Sequence, residues 1–115
     1  MNPRDDDILL RDIREAITTI DGYVADVENP DARLSRMAID AIKYNLIVIG
    51  EAVGNLDDDD VKRKAPAIPW QSIKGLRNLL AHSYFNVEQR RILEIVQGRD
   101  IGQLATAVAA LLDTK

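Results

Sequence analysis

Residues 31–56 constrain the fold more than any other stretch. Leu34, Ala38, Ala41, Val48 and Ala52 make one apolar row, and Ile39, Ile42, Leu46, Ile49, Val53 and Leu56 make another. Both rows follow the period of an α-helix. A helix that is apolar on two sides has to be covered twice, so it lies at the centre of a bundle or is shared with a second subunit. Asp31 is a good N-cap for it. Gly50 and Gly54, four residues apart, let another helix come close, at a cost in helix propensity. Asn45 and Glu51 interrupt the apolar run. The expectation for each is a satisfied packing or interface group rather than a catalyst, and the sequence does not fix their roles.

The other segments share this helical period. Residues 5–27 read as a first helix, with Leu9, Ile13, Ala16, Ile20, Val24 and Val27 on its stripe and Asp5, Asp6 and Asp7 where the macrodipole favours negative charge. Asn29-Pro30 breaks it. Asp57 to Asp60 suggest a metal site at first sight. Four consecutive aspartates in a loop do not converge on one point, and no calcium-loop pattern follows. They are expected to form a solvated cap for a short helix through Val61–Lys64, and no metal centre is expected. Pro69 suits a helix start, and Trp70 is placed to anchor that helix, which runs from about Pro69 to Ala81. Asn86 is a plausible cap for a segment from Val87 to Val96, Gly98 ends it, and a last helix covers roughly Ile101 to Leu112. There is no strand alternation and no internal repeat. The expected fold is an all-α, up-and-down helical bundle of about five to six helices.

At 115 residues the chain suits a single domain spanning 1–115. It has no cysteine, so disulfides and thiolate metal sites are excluded and a reducing compartment fits. The acidic opening lacks the basic-then-apolar pattern of a signal peptide, and no apolar run noted is long enough for a membrane span. A soluble cytoplasmic protein without membrane association is the expectation.

Charge is unevenly spread. The net charge is -4, yet residues 62–91 carry Lys62, Arg63, Lys64, Lys74, Arg77, Arg90 and Arg91 against Glu88 alone. The remainder has 8 basic and 18 acidic residues. A local attractive field for phosphate inside an acidic protein is the simplest reading. The bland alternative is that Lys62, Arg63 and Lys64 only offset the aspartate run.

At the centre of that basic block lies Gly75-Leu76-Arg77-Asn78-Leu79-Leu80-Ala81-His82-Ser83-Tyr84-Phe85, which holds the only histidine of the chain. Arginine offers a forked, permanent cation matched to phosphate oxygens, and histidine a group that exchanges protons near neutral pH. Together they are a minimum set for cleaving a phosphodiester without a metal. At about 100° per residue, Arg77 and Tyr84 share a helix face, whereas Arg77 and His82 are roughly 140° apart. Either the helix ends near His82 or a second subunit completes the site. Attack by a 2'-hydroxyl needs both a base and an acid. One chain owns one histidine and a two-fold dimer brings two, although water or Tyr84 could serve as the second group.

This segment is similar to the signature of the HepT-like toxins of the HEPN superfamily, an Arg-x4-His-x-Tyr motif with a polar residue after the arginine. Ile49-Gly50-Glu51-Ala52 and Ile68-Pro69-Trp70 resemble the family in the same order and at similar separations, so the likeness covers essentially the whole chain. It implies a HEPN-like homodimer with the motif lining a cleft between subunits. It also implies metal-independent endoribonuclease activity with no cofactor. Arg77 and His82 would be the catalytic pair, with Asn78 supporting them; Lys74, Arg90 and Arg91 of the basic block are, by charge alone, the expected contacts to RNA. The implied partner, besides the RNA substrate, is an MntA-like nucleotidyltransferase antitoxin that adds AMP to Tyr84, with room for a higher assembly that includes it. Such a group would block the cleft by bulk and negative charge. The alternative function is a non-catalytic helical module that binds nucleotide or docks a nucleotidyltransferase.

Overall fold

The computed structural model describes the backbone of residues 3–82 and 89–113, with side chains for 5–80 and 89–113. Five α-helices are present among the described residues: α1 (Pro3–Tyr23), α2 (Ala32–Asn55), α3 (Trp70–His82), α4 (Gln89–Val96) and α5 (Arg99–Asp113). Short 3-10 segments lie at Val24–Glu28 and Lys62–Lys64, and there is no strand among the described residues. The chain is an all-α bundle, as its periodicity requires.

The two-sided α2 is the axis of the bundle. Ala38, Ile42, Leu46, Ile49, Val53 and Leu56 are all buried, and α1 and α3 pack against this helix. Its start is fixed by Asp31, whose Oδ1 accepts from the backbone N–H of Arg33 at 2.9 Å and of Leu34 at 3.4 Å. This satisfies donors that the first turn leaves without helical partners. Not every apolar residue of α2 turns inward. Leu34, Met37 and Tyr44 are exposed, with Ala41 and Val48 half-buried along the same stripe.

α1 buries Leu10, Ile13, Ala16, Ile17 and Ile20. The expected Ile13, Ala16, Ile20 and Val27 are among the buried residues, and only at the start of the stripe does Leu10 take the place expected of Leu9, which is half-buried. The α-helix ends at Tyr23, and the expected last turn tightens into the 3-10 segment carrying buried Val27. The Val27 carbonyl then accepts from Ser35 Oγ at 2.5 Å and from Gln89 Nε2 at 2.9 Å, which ties the α1–α2 turn to the start of α4. At the other end of α1, buried Asp6 accepts from the backbone N–H of Asp57 at 3.1 Å. α5 covers α1 with Ile101, Leu104 and Val108.

The aspartate run acts as a cap. Asp57 Oδ1 accepts from the backbone N–H groups of Asp59 and Asp60 at 2.9 and 2.8 Å. The N–H of Asp60 is the main cause that holds the Asp57 carboxyl below its ordinary range; desolvation opposes it, and the N–H of Asp59 and nearby positive charge, that of Lys62 included, add to the lowering. Asp58 pairs with Lys62 at 3.1 Å and Asp59 with Arg63 at 2.8 Å. For those two cations the bland reading of the basic block holds. Trp70 follows as an anchor, buried, with Nε1 donating to the carbonyls of Ala65 at 3.0 Å and Lys62 at 3.2 Å. No helix among the described residues is long and apolar enough to cross a membrane.

Candidate functional site

The site is set by how closely α3 approaches α2. A Cβ placed on Gly50 would lie 3.0 Å from the backbone nitrogen of Arg77, 3.2 Å from the carbonyl oxygen of Ile73 and 3.3 Å from Arg77 Cβ. A side chain there would force the facing backbone to give by a few tenths of an ångström, so glycine at 50 allows this close spacing of the two helices at the residue that carries the guanidinium. One turn along, the same test at Gly54 meets only the side chain of Lys74, at 3.5 Å or more. The helices run antiparallel, with residue 54 beside 74 and residue 50 beside 77.

Small residues on α2 and long polar ones on α3 leave a groove of about 250 Å³ at this crossing. Lys74, Arg77 and Asn78 line it from α3, and Glu51 and Asn55 from α2. Arg77 Nη1 lies 3.9 Å from Glu51 Oε1, with 52% of the arginine side chain and 59% of the glutamate side chain exposed. That separation is an ion pair but exceeds hydrogen-bond length, so neither group is locked onto the other. The groove can hold an anion of phosphate size against two cations and two amides while presenting one carboxylate.

The structure brings together three of the sequence-predicted residues, Lys74, Arg77 and Asn78. His82 is the last described residue of α3, which is helical up to it, and its side chain lies outside the described atoms. Tyr84 and the expected cap Asn86 lie outside the described residues. Arg90 and Arg91 stand apart from the groove on α4, both turned to Glu94 at 3.7 Å. Arg91 lines a different cleft, of about 550 Å³, with Leu76 and Leu79 of α3 and Ile95 of α4. Asn45 is satisfied within its own helix, Nδ2 donating to the Ala41 carbonyl at 2.8 Å, as a packing role requires. Glu51 is different: its carboxylate sits in the groove beside Arg77. The sequence signal for it was a charged residue directly after the close-approach glycine.

Known proteins align with this chain over most of its length. The family described as Ribonuclease HepT-like matches residues 13–111. A Methanocaldococcus jannaschii protein named "Putative RNase MJ1380" is 31% identical over 97 residues, covering 84% of this chain and 88% of the relative. A Thermococcus cleftensis protein named "Probable ribonuclease HepT" is 34% identical over 88 residues, 76% of this chain and 79% of its own. A longer M. jannaschii protein, named for a gamma-glutamylcyclotransferase and an RNase, is 30% identical over 110 residues; the match takes in 96% of this chain and 49% of that one. No solved structure matches.

Proposed function

Because the chain belongs to the HepT-like ribonuclease family, we propose that it is a metal-independent endoribonuclease toxin of a toxin–antitoxin pair. It cleaves RNA by 2'-hydroxyl attack and is silenced by AMP addition at Tyr84. Arg77 neutralises charge that builds on the phosphorane-like transition state, His82 transfers a proton, and Asn78 orients the phosphate. Lys74 steers the RNA backbone into the groove. The observation that carries the reading is the groove itself, in which Arg77, Asn78 and Lys74 converge where α2 and α3 come closest.

Two protomers suit this reading. Leu34, Met37 and Tyr44 are 44%, 56% and 67% exposed, and they form a stripe at heptad-like spacing along α2 that leads toward Glu51 and the groove. A second copy seated on that stripe would bring two grooves to one seam. The same stripe favours the second reading, a helical module that docks a nucleotidyltransferase without cutting RNA.

The test is RNA cleavage by purified protein in excess chelator. Wild type cleaves, and both His82→Ala and Arg77→Lys lose at least about 100-fold in rate, because a point charge does not reproduce the guanidinium fork. Equal cleavage by wild type and His82→Ala discards the assignment. Tight nucleotidyltransferase binding with no RNA turnover favours the docking module. Protein co-expressed with the nucleotidyltransferase should gain mass in AMP units that map to Tyr84.

A further inference from the structure

From the position of Glu51 we infer that its carboxylate is the general base that deprotonates the attacking 2'-hydroxyl. The inference rests on the ribonuclease reading above and names the group which that reading leaves open, the partner of the single histidine.

Three features place the carboxylate for this task. Glu51 lies in the groove with Arg77 and Asn78, 3.9 Å from the guanidinium. In a near-attack arrangement the reacting oxygen and phosphorus are about 3–3.5 Å apart. A carboxylate one contact away from the cation that grips the phosphate therefore reaches the neighbouring 2'-oxygen. The pair is also longer than a hydrogen bond, and both side chains are more than half exposed. The guanidinium can turn to a phosphate oxygen while the carboxylate oxygens accept from the hydroxyl. Finally, both groups stand on helical backbone at a close crossing, where Gly50 of α2, next to Glu51, faces the backbone of Arg77 on α3.

An electrostatic argument points the same way. A negative charge in a groove built for a polyanion weakens ground-state binding. Such a cost is offset if the group acts on the reacting atoms. The charged groups that line the groove with Glu51 are Lys74 and Arg77, both from α3.

The step balances as follows. The 2'-O–H proton passes to a Glu51 oxygen while the 2'-oxygen pair forms a bond to phosphorus. The bond from phosphorus to the 5'-oxygen breaks, and that oxygen takes a proton from the His82 imidazolium. The products are a 2',3'-cyclic phosphate and a 5'-hydroxyl, and both side chains return to their starting protonation by exchange with water.

The experiment compares wild type with Glu51→Gln and Glu51→Asp, measuring kcat, KM and RNA affinity across pH. Glu51→Gln is expected to lower kcat by about 100-fold or more, with KM and RNA affinity unchanged or improved. Its residual activity loses the acid limb of the pH profile, the limb set by a base that must be deprotonated. Glu51→Asp keeps that limb at a reduced rate. Far-UV circular dichroism and Tm are expected to stay at wild-type values, since Glu51 is solvent-exposed. Wild-type kcat in Glu51→Gln overturns the assignment. A raised KM with the acid limb intact also overturns it, and makes Glu51 a positioning residue for Arg77. If wild type does not cleave RNA at all, the ribonuclease reading itself has failed.

Discussion

At the residue scale, two glycines four positions apart have different jobs. Gly50 faces backbone, which yields less readily than a side chain, whereas Gly54 faces the flexible chain of Lys74. Gly50→Ala should therefore cost about 1–3 kcal/mol in stability, as over-packing does, and displace the guanidinium it abuts. Gly54→Ala should be neutral or stabilise by up to about 1 kcal/mol through helix propensity. Thermal unfolding and RNA cleavage of the two variants check this, and equal effects would contradict it. The sequence announces a close approach at both positions but not what approaches, because the contact crosses the loop between α2 and α3. The ion pair of Glu51 with Arg77 was hidden for the same reason. The motif residues were legible because they lie close together in sequence.

At the element scale, α2 explains both what pattern-reading recovered and where it slipped. Its two apolar rows demanded a central helix, and α1 and α3 do cover it. Within α1, however, Ile8, Leu9 and Leu10 are consecutive and all apolar, so the period alone could not select Leu10 as the buried one. Tertiary packing made that choice. The expected row through Leu34 and Ala52 also divides, with Leu34 exposed and Ala52 buried. The exposed stripe is where a test of pairing belongs. Met37→Lys combined with Tyr44→Glu should leave Tm within a few degrees of wild type if the protein is measured as a monomer. It should turn a dimer into a monomer in light scattering after gel filtration, because charges replace apolar area at the seam. An unchanged dimer mass would remove α2 as the seam.

At the scale of the whole molecule, an acidic protein keeps a small cationic opening. Lys62 and Arg63 are paired to the aspartate cap and Arg90 and Arg91 to Glu94, whereas Lys74 and Arg77 line the groove, Arg77 beside Glu51. The basic block was legible as a tally of charges, but not its division into paired and groove-lining members, which depends on three-dimensional neighbours. RNA affinity should therefore fall with salt at a modest slope, and Lys74→Ala should flatten that slope by about 0.7, the value for one phosphate contact on a single strand. Arg90→Ala should change it less. Titrations at several salt concentrations decide the matter. One last consequence comes from the two long-range hydrogen bonds at opposite ends of the first helix, Asp6 to Asp57 and Val27 to Gln89. A rod pinned at both tips has no axial play, so the bundle resists slipping like a shuffled stack of pencils. A sideways swing of α4 would break the bond from Gln89, so the fourth helix is tethered to the same rod.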